Sequence, residues 1–506
     1  MSQEFHDAPP ISSREIRTVF GGLMLALALA SLDQNIVGIA LPVIVSDLGG
    51  LAHLSWVVTA FLVTSTATTP LYGKLSDMYG RKPLFIIAIV IFLAGSSFCG
   101  LATSMTQLIL FRGIQGLGAG GLITLAQTTI ADLVPPRERG RYQGLFGAVF
   151  GFSSVAGPLL GGFITDALSW RWIFYINLPV GLLALALIGF GFHRPHHAVT
   201  HKVDYAGAIL LTAATVCMLM VLTWGGVQYG WTSPVIAGLS LAVCVLVVLL
   251  VRVERRSSEP ILSPHIFHNK VFVIATAVMG LTFMGIFSAA LFLPLFFQLV
   301  LGMAPAKAGL MMAPMTGGMI LTSFLGGRQV SRTGKYKIYP VAGLAAAALS
   351  FLALMVLVLQ GGGIVLVEAT LIVLGCGFGL VMPNLVVALQ NAVSSREQGA
   401  ATATGAFFRS LGGTFGAALA GAIMTWQLSA HAGTWSGRAL RSLAEQGLQQ
   451  IARLPLEQHE AVIAAYRHAI SMTFLTGALI TLAAFVLVLF LPEHPLKTSH
   501  AERASR

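Results

Sequence analysis

Gly73-Lys74-Leu75-Ser76-Asp77-Met78-Tyr79-Gly80-Arg81-Lys82 decides the fold, because it returns as Gly327-Arg328-Gln329-Val330-Ser331-Arg332-Thr333-Gly334-Lys335-Tyr336 with the glycines at the same spacing. Arg137-Glu138-Arg139-Gly140 likewise returns as Arg396-Glu397-Gln398-Gly399, after which Gly157 and Gly162 align with Gly416 and Gly421. The two offsets are nearly equal, so the chain carries one unit twice in the same direction. Each copy holds several apolar runs, which makes it a membrane unit rather than a soluble repeat.

Composition agrees. Of 506 residues, 56% are hydrophobic and 10% charged, with a mean hydropathy of +0.82. These values exclude an ordinary soluble domain and imply an all-α polytopic membrane protein. A helix needs about 20 apolar residues to cross a bilayer, and fourteen such runs can be drawn, at roughly 18–42, 52–72, 83–102, 107–131, 141–163, 170–190, 205–224, 233–251, 271–296, 306–326, 338–358, 364–389, 403–427 and 469–491. The repeat makes spans 1 to 6 and 9 to 14 the two halves, with spans 7 and 8 inserted between them. The expected organisation is therefore a tail at 1–16, an N-terminal six-helix bundle at 17–195, a linker with two inserted helices at 196–267, a C-terminal six-helix bundle at 268–492, and a tail at 493–506. The second bundle includes an external segment, 428–468, whose leucine pattern predicts short amphipathic helices. A cap over the outer mouth, a partner-docking surface and a functionless hairpin all fit that segment.

Of the 30 Lys and Arg residues, 22 fall in connections on the side of the N-terminus, six on the opposite side, and two, Arg112 and Arg409, inside spans. The positive-inside rule then places both termini in the cytoplasm. The net charge of +11 is spread over these short connections, so nucleic acid is not an expected partner. Cys99, Cys217, Cys244 and Cys376 lie singly in apolar runs and predict neither a disulfide framework nor a metal site. The first apolar run follows Arg14 and Arg17 and lacks a small-residue cleavage site, so it reads as a retained first helix. His193, His196, His197 and His201 read as a solvated linker.

Within span 1, Leu32-Asp33-Gln34-Asn35 places a carboxylate and two amides inside an apolar run. An ionisable group there costs several kcal/mol and usually faces a bundle interior or a water-filled path. Asp33 is thus a functional candidate, the alternative being a structural acid bonded to a neighbouring helix. Arg112 in span 4 is the other buried charge of the first half. Its guanidinium does not release a proton, so its role is electrostatic, or that of a helix-to-helix anchor. Glu368 in span 12 reads equally as a second protonation site or as a solvated residue near the outer interface. Asp132 reads as an ion-pair member beside Arg137, Arg139 and Arg141.

The stretch Gly73 to Lys82, through Gly73, Asp77, Gly80, Arg81 and Lys82, resembles the signature loop of the major facilitator superfamily. Its second copy carries Ser331 in place of the acid, which predicts a one-sided latch between the halves. Leu32-Asp33 through Pro42, Leu108 to Gly120 with Arg112 and Gly116, and Gly151 to Gly162 with Gly157-Pro158 are similar to motifs of drug:proton antiporters. Trp170-Arg171-Trp172-Ile173-Phe174-Tyr175-Ile176-Asn177-Leu178-Pro179 resembles the start of span 6 in the fourteen-helix members.

The resemblance implies efflux of small lipophilic molecules, cationic ones included, by alternating access in a bacterial cytoplasmic (inner) membrane. The proton motive force would drive it, with no cofactor and no enzymatic activity. Asp33 would exchange a proton for a cationic drug or be tuned by conformational change, with Arg112 and Glu368 in the coupling set. Gly151, Gly157, Gly161 and Gly162 with Pro158 would let span 5 slide or bend, the alternative being plain close packing. Gln34, Asn35, Gln115, Met311, Met315, Met319, Phe407, Phe408 and Arg409 are candidate cavity residues. Flexible methionines and aromatic faces suit varied apolar ligands, although a packing or lipid-facing stripe has the same appearance. Export of an endogenous lipid, siderophore or secondary metabolite is the alternative function, and a non-transporting receptor or scaffold belongs to a different class. A periplasmic adaptor is a candidate partner if the cell has an outer membrane.

Overall fold

A computed structural model of the chain describes residues 13–49, 54–191, 204–226, 228–257, 259–262, 264–303, 305–394, 397–430 and 456–496. The first half comprises α1 (Ser13–Leu48), α2 (Leu54–Tyr79), α3 (Arg81–Leu101), α4 (Met105–Leu133), α5 (Pro136–Ala167), a single turn α6 (Trp172–Tyr175) and α7 (Asn177–Gly191). Two inserted helices follow, α8 (Tyr205–Trp224) and α9 (Pro234–Glu254). The second half contains α10 (Lys270–Leu295), a short α11 (Pro305–Leu310), α12 (Ala313–Thr333), α13 (Ile338–Gln360), α14 (Ile364–Asn391), α15 (Gln398–Ala430) and α16 (Leu456–Leu489).

Among the described residues, thirteen helices are long and apolar enough to cross a membrane. The other expected span, α2, is 26 residues long and rich in Ser and Thr. Its hydroxyls are satisfied locally, Thr64 donating to Ala60 O, Thr68 to Thr64 O and Thr69 to Ser65 O, so a helix of this composition stays tolerable in an apolar setting. Expected span 10 begins in α11, breaks at Met311-Met312 and continues as α12. Expected span 14 starts earlier than drawn, since α16 begins at Leu456. The remainder of the external segment, 431–455, lies outside the described residues, as do His193, His196, His197, His201 and the outer parts of both tails.

Helix boundaries follow ordinary capping chemistry. Ser104, Asp204, Ser233 and Asn269 each accept a backbone N–H from the first turn of α4, α8, α9 and α10. The second glycine of each signature copy has a left-handed backbone, with φ of 90° at Gly80 and 72° at Gly334. Only glycine takes these values at little cost, so the turns between α2 and α3 and between α12 and α13 depend on those two residues.

Helix α4 is the hub of the first half. It lies between α2 and α3, and its glycines let backbones touch: Gly116 on Phe61, Gly118 on Ala88 and Phe92, Gly120 on Ser65. Lipid tails are as apolar as the packed side chains, so close van der Waals fit rather than the hydrophobic effect holds such helices together. Helices α8 and α9 pack on each other, and α8 covers the seam where α2 meets α15, in an apolar cluster of Val63, Leu211, Leu219, Leu250, Ile261 and Leu411. Lys74 of the first signature loop pairs with Glu259, just after α9, at 2.6 Å.

At the far end of α1, Asp47 accepts hydrogen bonds from Trp170 Nε1 at 2.9 Å and Arg171 at 2.8 Å. The Trp170 and then the Arg171 bonds hold its carboxyl below the usual carboxylate range. A depressed folded-state value means the contact contributes fully at neutral pH and fades as pH falls through that value. Asp47→Asn is therefore expected to lower the melting midpoint slightly at pH 7. The difference from the parent should shrink on acidification below the ordinary carboxylate range, as read by melts of both proteins from neutral pH down to about pH 3.

Candidate transport site

Asp33 is 1% exposed and its carboxylate is fully engaged. Its Oδ2 accepts from the Arg112 guanidinium at 2.6 Å, and its Oδ1 accepts from Gln115 Nε2 at 2.8 Å and Asn177 Nδ2 at 2.9 Å. Arg112 also donates to Gln115 Oε1 at 2.7 Å and to the Val57 carbonyl at 3.3 Å. Its guanidinium lies 4.1 Å from the centre of the Phe61 ring. Asn177 donates to Ser96 Oγ, which donates to the Phe174 carbonyl. The network ties α1, α2, α3, α4 and the α6–α7 turn together. Gly95 allows it, since a β-carbon there would lie 2.5 Å from the Gln115 backbone.

Asp33 and Arg112, singled out separately in the sequence, are thus direct partners. Gln115, expected in the cavity, is completely buried inside this network instead. Sequence reasoning misses Asn177 and Ser96. The available signal is that Asn177 is an amide within the quoted Trp170 to Pro179 motif. Gln34, one residue from Asp33, is exposed, and an exposed amide at this depth is stable where water reaches it. Asn35 is half-buried, donates to Ser31 O at 2.7 Å and packs against Gly157.

The halves close on each other at the basic end. Asp77 crosses the seam and accepts the backbone N–H groups of Gly399 (3.0 Å) and Ala400 (2.7 Å), capping the N-terminus of α15. Arg81 pairs with Asp77 at 2.6 Å and with Asp132 at 2.7 Å. Asp132 therefore joins the signature loop rather than the expected arginines. Gly73 packs against Ala403 and Gly399, and Thr66 bonds Ser410 at 2.8 Å deeper in the same seam. Lys82 lies at the start of α3 beside this loop.

On the other side, Arg137 at the start of α5 donates to the Ser331 and Arg332 carbonyls at the end of α12, at 3.2 and 3.1 Å. The expected one-sided latch needs correcting: the Ser331 copy is also held, by a guanidinium on helix C-terminal carbonyls in place of an acid on N–H groups. Arg139, fully buried, donates to Val134 O at 3.0 Å and to Ala131 O, and reaches Gln390 of α14 at 3.4 Å.

Helix α5 carries two glycine faces. Gly140 and Gly144 press on Gly327 and Ser323 of α12, and Gly151 on Ile320, whereas Gly157 and Gly161 press on Asn35 and Ile36 of α1. Pro158 lies in the same helix without interrupting it. A β-carbon at Gly162 would meet nothing within 4 Å, so that glycine contributes no close approach. One helix thus touches the opposite half with its basic-end section and the Asp33 helix with its outer section.

In the second half, Met315 is packed in the apolar core with Phe351 and Phe378, and Met311 and Met319 lie at the edge of that core. Phe407 and Phe408 turn toward the α8–α9 cluster, so they stabilise the seam rather than line a central space. Glu368 is half-buried near the start of α14, its Oε1 without a hydrogen-bond partner. Arg409 is half-buried with its guanidinium 5.2 Å from the Phe283 ring. Among the described residues no cluster of His, Cys, Asp and Glu can hold a metal.

Asp77→Ala removes a cap worth about 1 kcal/mol and one partner of a buried guanidinium. The expected result is a shift toward a state open at the basic end by roughly tenfold, a coupling of about 1.4 kcal/mol, read by spin-label distances between α2 and α15. Unchanged distances would show that Asp77 does not hold the seam.

Two repeated helical halves sealed at one end, with an ion pair buried in one of them, have the architecture of a membrane transporter. The Major Facilitator Superfamily profile matches residues 23–417, and the chain belongs to that superfamily. It is 40% identical to the multidrug transporter protein MdtP of Bacillus subtilis (strain 168), over 80% of this chain and 74% of that one. It is 35% identical to multidrug resistance protein 3 of the same organism, over 94% of this chain and 95% of that one. The proton:xylose symporter XylE, solved with 6-bromo-6-deoxy-D-glucose, shares the fold at a TM-score of 0.63 and 16% identity, covering 96% of this chain and 98% of that one.

Proposed function

We propose that this protein is a multidrug exporter of a bacterial cytoplasmic membrane, moving lipophilic compounds outward in exchange for protons, with no enzymatic activity and no cofactor beyond the proton motive force. The observation that carries the reading is the Asp33–Arg112 pair, an ionisable switch buried between helices of a half whose opposite number it meets through glycine seams and terminal caps. The names of its bacterial relatives support the drug substrates. The structure is taken as the outward-facing state, since the positive-inside rule makes its sealed basic end cytoplasmic.

In this state the Asp33 carboxylate accepts from Arg112, Gln115 and Asn177. Protonation removes the charge that balances Arg112, weakens the pair, and frees α1 to move on α5 along Gly157 and Gly161. That motion releases the α5–α12 and α2–α15 seams and opens the cytoplasmic side to substrate. Deprotonation toward the cytoplasm restores the pair and reseals it. Glu368, lacking a partner for one oxygen, is a second candidate for proton uptake near the outer end of α14. The expectation of cationic substrates assumed that Asp33 was available to contact them, and its complete engagement removes that support.

Proteoliposomes with an imposed pH gradient test the function. A panel of one neutral, one cationic (ethidium) and one anionic lipophilic dye is expected to show gradient-driven transport that a protonophore abolishes. Failure across the panel, with transport of one lipid, siderophore or secondary metabolite, favours the endogenous exporter. No transport and no proton movement with any compound favours a receptor or scaffold.

A further inference from the structure

Charge is unevenly distributed across the middle of this transporter. In the first half the Asp33 carboxylate and the Arg112 guanidinium neutralise each other, with side chains 0% and 2% exposed. In the second half Arg409 lies on α15 immediately before Ser410, whose hydroxyl bonds Thr66 across the seam, so it sits beside the meeting of the halves and well inside both helices. Its guanidinium stacks on Phe283, and Phe283 in turn lies 6.2 Å from Phe287, ring centre to ring centre.

Among the described residues nothing accepts a hydrogen bond from Arg409, and no carboxylate pairs with it. The group that packs on its guanidinium is the uncharged Phe283 ring of α10, and Phe287, the next ring along that helix, packs against Gly413 one turn on from Arg409. Gln390 of α14 bonds Thr402, two turns nearer the basic end. Among the described residues no ion pair joins it to Glu368, which lies near the start of α14. Arg409 is only half-buried, and its nitrogens are not sealed off from the space around them.

A guanidinium cannot shed its proton, and a permanent charge at this depth needs an anion or water. We propose that Arg409 receives the acidic group of the exported compound, a carboxylate, sulfonate or phenolate, while Phe283 and Phe287 hold the apolar body attached to it. The geometry provides a charge-assisted donor fork beside an aromatic wall. A lipophilic cation at the same place would face a like charge with no carboxylate to offset it. This inference rests on the export reading and narrows it to neutral and anionic lipophiles, in place of the cations expected from the sequence.

The test uses the full-length protein in nanodiscs and two probes that share one naphthyl body and carry opposite charge, 2-naphthoate and 2-naphthylmethylammonium, with binding measured by titration calorimetry without a gradient and corrected for binding to empty nanodiscs. The parent is expected to bind the anion at least tenfold more tightly than the cation. Arg409→Gln should lose that preference by at least tenfold, and Arg409→Lys, which keeps the charge, should retain most of it. Equal binding of the two probes by the parent, or an undiminished preference in a folded Arg409→Gln protein, overturns the proposal. Gradient-driven export of cations alone would also overturn it while leaving export intact. Anion-selective binding lost in Arg409→Gln supports the site even if transport itself fails.

Discussion

Arg112→Ala is expected to lower stability more than any other single change in the first half, by about 3–5 kcal/mol, the usual cost of stranding one partner of a buried ion pair. The loss has three parts. The Asp33 carboxylate keeps only Gln115 and Asn177, the Val57 carbonyl loses its donor, and the Phe61 ring loses the cation 4.1 Å from its centre. Asp33→Asn leaves Arg112 its Gln115, Val57 and Phe61 contacts and should cost less. The double variant removes both charges, so it should melt above Arg112→Ala. A thermal-melt cycle over the four proteins in one detergent reads the coupling. Additive effects of the two substitutions would show that the pair does not act as a unit.

Gly140→Val is expected to reduce transport by more than tenfold with little effect on the melting midpoint. A β-carbon at Gly140 would lie 2.5 Å from the Gly327 carbonyl in the opposite half, so the clash exists only when the basic end is sealed. The energy of that state alone rises, and a penalty of about 1.4 kcal/mol already shifts the population tenfold. Labelling of a cysteine placed in the α5–α12 seam should accelerate correspondingly from the cytoplasmic side. Gly162→Ala, with nothing within 4 Å, serves as the control and should transport within about twofold of the parent, as open surface positions usually tolerate substitution. Equal labelling of Gly140→Val and the parent would mean that the seam opens by another route.

The repeat, the fourteen spans, the inserted pair and the importance of Gly73–Lys82 are all legible in the sequence, because they rest on run length, spacing and the side on which basic residues fall. Asp33 and Arg112 are legible for a related reason: a charge in an apolar run stands out whatever its partner. The directions in which side chains point are not legible. A soluble helix announces its buried face by alternating apolar and polar residues, but α10, α14 and α15 are apolar nearly all round, so core, seam and cavity faces carry the same residue types. Met315 consequently falls in the core, and Phe407 and Phe408 against the inserted helices. Gln115 is misplaced because its partner Asp33 and their shared neighbour Asn177 lie 82 and 62 positions away on other helices. The Arg137 latch is hidden for a similar reason, since its acceptors are backbone carbonyls that no side-chain motif records.

The two sealed seams also show why the signature copies can diverge while both still hold. In the first copy Asp77 meets the positive end of α15, and in the second the negative end of α12 meets Arg137. Each uses a helix terminus as one partner, so neither strictly needs a carboxylate facing a cation across the seam. The glycine pair is what both copies retain: the first glycine for close approach, the second for its left-handed turn.

Proton movement during substrate transport by Asp33→Asn tests the central claim most directly. Parent protein in liposomes loaded with a pH-sensitive dye should show proton flux on addition of a transported lipophile and accumulation of that compound against its gradient. Asp33→Asn, folded by its melting profile, should move no protons and at most let the compound equilibrate. Full gradient-driven accumulation with accompanying proton flux in that variant would contradict the account and remove the buried carboxylate from the coupling mechanism.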